Sequence, residues 1–394
     1  MLKFALKNML VKRGRLILVA VSILISSCVG LLSYNVSRQV SDGIVSTAGY
    51  YDMIIGPAGS STQLAMNTMF FTDKPLGTLP YSTVEELEKS GLTNSVVPFT
   101  MGDSFNSARI VGTTPAFLSG KSLKDGAMFD DVYEAVLGSE VASKYNLKVG
   151  DSIVTSHGLA ESGTEHAASP LTVTGILKKT DTNYDNTVFT SYKTVWAIHS
   201  AEEHGEEHEE DGEEAEAHEG EVCAILVKTR GFNEYYRLTA AYSENAKLLV
   251  INPATVLREV LSSVDTSTKI VYILCAVILV MNLLVISVIT LLNLLDSRKE
   301  IALMRMIGIS MRRVGLLYLI QNSILGLVST LLSLLLAHLS LGLMNGYTAS
   351  MGIVLASRRV YGAELLIALA VFVISVLPTA VSIASMSRRD VIEK

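Results

Sequence analysis

IVYILCAVILVMNLLVISVITLLNLL, residues 270–295, is a run of 26 residues whose only ionisable side chains are Tyr272 and Cys275. A helix rising 1.5 Å per residue crosses a hydrocarbon core of about 30 Å over such a length, so the run reads as a membrane span. Working outward, Leu365 to Ser387 offers a second uncharged stretch, and Val314 to Ser357 carries no charge apart from His338. The latter is enough for one span, residues 314–339, followed by an apolar re-entrant or surface stretch. Near the start, residues 16–36 are apolar and follow a basic stub. The whole chain of 394 residues is 49% hydrophobic and only 18% charged, too apolar for an ordinary soluble protein of this size.

The first span competes with a cleaved signal peptide, which also has a basic start and an apolar centre. The length of the run and the absence of a small-x-small pattern at Ser33-Tyr34-Asn35-Val36 favour an uncleaved anchor. Orientation follows from the short flanking segments, because Lys and Arg are retained in the cytoplasm. The stub, the segment after the second span and the tail hold thirteen basic residues, whereas the segment between the third and fourth spans holds only Arg358 and Arg359. Both termini are therefore expected in the cytoplasm of a multi-pass protein of the cell (inner) membrane.

The expected fold is an α-helical four-span bundle with a large extracytoplasmic α+β domain inserted between spans 1 and 2. The divisions are a stub at 1–15, spans at 16–36, 270–295, 314–339 and 364–387, and the exported domain at 37–268. A cytoplasmic loop at 296–313, a short extracytoplasmic segment at 340–363 and a tail at 388–394 complete the chain. Cys28 and Cys275 fall in spans, which leaves Cys223 alone in the exported domain and no disulfide within it.

Within that domain, alternating apolar residues predict strands at Tyr51 to Ile55, Ser95 to Phe99, Ser107 to Gly112, Leu171 to Leu177 and around Val188-Phe189. Ser82 to Lys89 reads as a short helix with Ser82 or Thr83 as N-cap, ended by Gly91. Val136 to Tyr145 reads as strand, turn and helix, and Leu147 to Asp151 as a turn into a strand ending at Val154. Ala224 to Lys228, a helix over Asn233 to Glu244, and Leu248 to Ile251 form a second, βαβ-like part.

Ala201 to Glu221 contains twelve carboxylates, three histidines and no aliphatic residue larger than alanine, so it cannot bury a core and is expected as a solvated loop. His199, His204, His208 and His218 make 199–221 the leading candidate metal site, for Zn²⁺ or another divalent ion. His204 and His208 stand at i, i+4 and would chelate if a helical turn formed. Without preformed geometry such a site is weak and exchangeable; the competing reading is an acidic linker. His157 and His166, flanked by Glu161 and Glu165, could form another weak metal site, but Gly158, Ser162 and Gly163 mark the stretch as a flexible hairpin tip.

No chemistry of catalysis is legible. Gly120-Lys121-Ser122 lacks the glycine a phosphate loop needs five residues earlier, where Pro115 stands. No Gly-x-Ser-x-Gly elbow occurs. The chain is expected to be a non-enzyme, with no cofactor of its own and no nucleic-acid partner. The polar residues of the spans, Asn282, Asn293, Gln321, Asn322 and His338, read as interhelical hydrogen bonds rather than ligands.

The informative cytoplasmic stretch is RKEIALMRMIGIS, residues 298–310. Written as a helix it places Ile301, Met304 and Ile307, with Leu303 nearby, on an apolar stripe beside Arg298, Lys299, Glu300 and Arg305. Such a helix can dock into a groove on a partner or merely connect two spans; pattern alone leaves the two equal.

This stretch resembles the segment after the second span in FtsX-like ABC transporter permeases of the MacB and lipoprotein-releasing type, in its arginine, glutamate and R-x-x-G spacing. VLGSEVASKYNLKVGDSI (136–153) and LTVTGILKKT (171–180) are similar to the MacB-like periplasmic core, and the resemblance covers most of the chain. It implies that Arg298, Glu300, Ile301, Met304, Arg305 and Gly308 couple to a separate cytoplasmic ATPase that binds the ATP, and that two permease chains associate in the lipid as a homodimer. It further implies transmission of motion to the exported domain, for export or extraction of an envelope, lipid-linked or peptide substrate, with an extracytoplasmic adaptor or binding protein as a further partner. A regulatory membrane protein controlling an envelope enzyme, and a metal-linked transport component, are the competing functions.

Overall fold

The computed structural model describes residues 13–47, 50–72, 74–157, 169–203, 220–296, 298–350 and 354–392. They divide into two compact units. Met1–Arg38, Val264–Met344 and Ala356–Lys394 make a helical unit; Gln39–Ser263 and Asn345–Leu355 make a core unit.

Among the described residues, four long helices dominate the helical unit: α1 (Arg13–Thr47), α7 (Pro253–Asp296), α9 (Met311–Ser350) and α10 (Gly362–Ile392). Each contains a stretch long and apolar enough to cross a membrane, at Leu16–Gly43, Lys269–Ile289, Arg313–Thr348 and Gly362–Val381. Large apolar side chains remain exposed along them, among them Leu18, Ile273, Val280, Leu335 and Leu366, as expected of surfaces that meet lipid. Contacts between the helices use small and hydroxylated residues. Ser333 on α9 donates to Ser27 on α1 at 2.8 Å, Asn322 on α9 donates to Thr379 on α10, and a Cβ at Gly326 would run into Ser375. Small residues allow such close approach, and hydroxyls replace the solvation that lipid does not supply.

Two expectations change here. Residues 340–350, read as leaving the third span, continue α9 to Ser350. No proline or charge interrupts them, and the glycines at 342 and 346 cost a helix only about 1 kcal/mol each. α10, which contains Pro378, continues past residue 387, where the fourth span was expected to end, through Arg388 and Arg389 to Ile392.

Among the described residues, thirteen strands organise the core unit: β1 (Met53–Pro57), β2 (Leu79–Pro80), β3 (Thr93–Phe105), β4 (Ala108–Thr113), β5 (Leu123–Gly126), β6 (Glu134–Leu137), β7 (Ser152–Ile153), β8 (Ser156–His157), β9 (Leu171–Leu177), β10 (Thr187–Ser191), β11 (Glu221–Val222), β12 (Ala224–Thr229) and β13 (Leu248–Ile251). Its shorter helices are α2 (Ser61–Phe70), α3 (Ser82–Lys89), α4 (Ser139–Lys144), α5 (Tyr192–Glu203) and α6 (Phe232–Ser243).

One end of the main sheet runs β13-β1-β12-β3. Because β1 is antiparallel to both β12 and β13, the expected βαβ part is a split one, with β1 between its two parallel strands. Taken in chain order as β1, α3, β3, β12, α6 and β13, this half has the ferredoxin-like arrangement. Side chains alternate between its faces. Met53, Ile55, Ile225 and Val227 meet Val84 of α3 and Leu238 of α6, whereas Ile54, Leu226, Val97 and Phe99 meet Leu64, Met69 and Phe71.

The β-rich half is inserted between β3 and β12 and continues the same sheet as β3-β4-β10-β6-β9-β5. It is mixed, with β10 parallel to β4 and β6 parallel to β9. The expected two parts therefore share one sheet, joined through β3. That strand is 13 residues long, and only Ser95 to Phe99 of it was legible because Gly102 interrupts the pattern beyond. The N-cap of α3 is Tyr81, not Ser82 or Thr83; Tyr81 instead stacks on Tyr192 and meets Trp196 edge-on.

Candidate functional site

The segment between α7 and α9 forms a short helix, α8 (Arg298–Met306). Its end has a physical cause. Gly308 adopts φ +88°, Ile309 N–H donates to Met304 O at 3.0 Å and Ile307 N–H to Leu303 O at 3.2 Å, a glycine-based stop of the kind that satisfies the last carbonyls of a helix. The chain then turns into α9, where Arg313 N–H donates to Ser310 O at 2.9 Å.

The apolar residues of α8 divide between two directions. Ile301 is buried with Val314 and Tyr318 of α9, and Met304 and Ile309 pack against the same cluster. These contacts fix α8 to its own chain. Leu303, Met306 and Ile307 are 55%, 77% and 79% exposed. The stripe expected from spacing thus supplies Ile301 and Met304 for internal packing and Ile307 for the outer surface, which Met306, absent from that stripe, shares. Arg298, Glu300 and Arg305 lie on the same helix; their side chains fall outside the described residues.

His199 departs from expectation. It belongs to α5, not to the acidic loop, is 7% exposed, and its Nε2 lies 3.5 Å from Asp103 Oδ2 on β3. Apolar neighbours Val195 and Ile198 are buried on the same helix and carry His199 into the core with them. A histidine so placed is not a surface-loop ligand. His204, His208 and His218 lie outside the described residues, as does His166; His157 lies on β8, opposite Asp103. Among the described residues no group of three or more His, Cys, Asp or Glu side chains could hold a metal.

Burial governs the core unit's titratable groups away from these positions. The Cys223 thiol is pushed up to about 11, by desolvation above all, against a weak hydrogen bond to Met101 O. Desolvation likewise raises the Asp185 carboxyl, although Thr180 and Asp181 donate to it.

The core unit also contains a cavity of about 450 Å³, between Phe70 and Phe71 of the α2 end and the β-rich half.

Two family comparisons bear on this architecture. The MacB-like periplasmic core domain matches residues 16–231, more than half of the chain, and the FtsX-like permease C-terminal domain matches residues 271–391. The second match contains α8 and its glycine stop. No curated protein matches the chain. With a mixed-sheet core unit, four membrane-length helices and both family matches in register with them, the chain belongs to the FtsX-like, MacB-like family of ABC transporter permeases, as a multi-pass membrane protein.

Proposed function

We propose that this chain is the membrane subunit through which a separate cytoplasmic ATPase moves the core unit on the opposite side of the membrane, in the export or extraction of an envelope, lipid-linked or peptide substrate. The reading assigns no catalytic step to the chain. ATP binds to the partner, and two copies of the permease assemble around it in the inner membrane, with both termini cytoplasmic.

One observation carries the coupling assignment. α8 is anchored internally by Ile301, Val314 and Tyr318 yet exposes Leu303, Met306 and Ile307. Apolar anchors on one helix face, bordered by charge, suit a helix-in-groove contact, the apolar residues supplying affinity and the charges register. Arg298, Glu300 and Arg305 are the charges assigned to register. Ile301, Met304 and Gly308 hold the helix in place.

Co-purification with a cytoplasmic ABC ATPase of the same host tests the assignment. Met306→Ser with Ile307→Ser, and Glu300→Ala, are expected to lose the ATPase while the permease still inserts in the membrane. Undiminished ATPase recovery with all three substitutions would overturn it. Accessibility of a cysteine placed at Ser310 to a membrane-impermeant reagent checks sidedness, with labelling expected only after the membrane is opened from the cytoplasmic side.

A further inference from the structure

The cavity of about 450 Å³ in the core unit lies at the seam between its two halves, the kind of place where ligand pockets concentrate, and its volume is within their usual range. One wall is aromatic. Phe70 ends α2 and Phe71 follows in the left-handed conformation, φ 55°, an uncommon state for a bulky residue. It is held there by packing on Tyr184 and Phe189, and Asn183 Nδ2 donates to Phe70 O at 2.9 Å.

The facing wall is polar and carries positive charge. Arg109 of β4 and Lys144 of α4 line it, with Glu140 the single carboxylate among the described lining residues. Glu140 Oε1 already accepts from Lys179 Nζ at 2.7 Å, so its charge is balanced by a cation that does not line the cavity. Lys144 Nζ donates to Ser107 Oγ at 2.9 Å, and Ser107 Oγ lies 3.2 Å from the Tyr145 hydroxyl, which makes a connected set of donors. Burial acts to raise the pKa of the Tyr145 hydroxyl, yet the hydrogen bonds with Ser107 and Lys144 outweigh it and leave the group below its ordinary value. The surroundings thus favour negative charge.

We infer that this cavity binds a small organic anion, its carboxylate or phosphate held by Arg109 and Lys144 and its apolar body laid against Phe70 and Phe71. Charge-assisted hydrogen bonds from a guanidinium and an ammonium are the strong contacts of such a site, and the aromatic wall supplies the area that an inorganic ion would not use. The inference gives a ligand class to the unit that the proposed function assigns to the substrate. It needs no ATPase, so its failure leaves the coupling assignment intact.

Isothermal titration of the full chain in phosphatidylcholine nanodiscs with phenyl phosphate is the test. Benzyl alcohol and benzylamine serve as neutral and cationic probes. Phenyl phosphate is expected to bind at least roughly tenfold more tightly than either, and Arg109→Gln with Lys144→Gln to weaken it by roughly tenfold or more. Glu140→Gln should bind as well as the parent or better. Repeating the titration in phosphatidylglycerol nanodiscs separates the sources: suppression of phenyl phosphate binding identifies a lipid headgroup, and unchanged binding a free anion. Absence of heat at millimolar phenyl phosphate, equal affinity for benzyl alcohol, or full binding by a folded double variant would each overturn the inference. The probe comparison uses the unaltered chain and stands even if the variant fails to fold.

Discussion

The side-chain amide of Asn35 on α1 donates to the carboxylate of Glu364 on α10, and both side chains are completely buried. Glu364 Oε2 accepts from Tyr361 N–H at 3.0 Å while Glu364 N–H donates to Tyr361 O at 3.0 Å, a reciprocal cap at the start of α10. His338 of α9 joins them, with Nε2 3.5 Å from Glu364 Oε1 and Nδ1 donating to Ser357 O at 2.7 Å. Three membrane-length helices therefore meet on one carboxylate. Each half-satisfied alternative would leave a polar group stranded among apolar ones. Glu364→Ala is expected to destabilise the helical unit by about 1–3 kcal/mol, and Glu364→Gln less, because it keeps an acceptor for Tyr361 N–H. Thermal unfolding of the purified chain in detergent checks this; equal midpoints for Ala and Gln would remove the tie from the argument.

Asp103 and His199 give a second buried pair, in the core unit, linking β3 to α5. Residues that share one polar network do not lose stability additively. Asp103→Asn and His199→Gln should therefore show a coupling of about 0.5–3 kcal/mol in a double-mutant cycle of chemical unfolding. Strict additivity would mean that the two side chains are neighbours without interacting.

Cys223 supplies a pH dependence. Its thiol ionises near 11 in the folded chain against 9.0 without burial. Between these values the unfolded chain has lost a proton that the folded chain keeps, so stability is unaffected below about pH 9 and declines as pH rises toward 11. Cys223→Ala is expected to flatten that part of the stability profile. In a Cys28→Ser, Cys275→Ser background, maleimide should label Cys223 at neutral pH only when denaturant opens the core unit.

Gly138 and Gly150 should respond differently to alanine although only eleven residues of one motif separate them. Gly138 has an ordinary extended backbone, φ −65°, but a Cβ there would run into the carbonyl oxygens of Tyr184 and Asp185. Gly150 has φ +95° and open space around it. Gly138→Ala must displace backbone and is expected to cost about 1–3 kcal/mol. Gly150→Ala meets only the torsional cost, about 1 kcal/mol. Urea midpoints of the two variants decide the order, and a larger loss at Gly150 would contradict it.

Much of the core unit was readable because its signals are local. Ser82–Lys89, Leu171–Leu177 and Leu248–Ile251 stand where periodicity placed them, each bounded by residues that stop it within a turn. The coupling segment was legible as a helix for the same reason, its glycine stop lying two residues beyond the last helical position. Its outward face was not. Ile301 and Leu303 are both apolar, and only the position of Val314 and Tyr318 decides that the first is buried and the second exposed. His199 was misread because the carboxylates that follow it dominate its sequence neighbourhood, whereas its helix turns it toward Asp103 on a strand 96 positions earlier.

By itself, the sequence determined the four membrane-length segments, the α+β character of the inserted domain and the family, because hydropathy over twenty residues, strand alternation and motif spacing are properties of contiguous chain. Only the tertiary structure decided that one long strand joins both halves of the core in a single sheet. It alone brought Asn35, His338 and Glu364 together, and Arg109, Lys144 and Phe71 around one cavity. Those pairings span from tens to hundreds of positions, and sheet register and helix packing, which create them, leave no mark on any window of sequence.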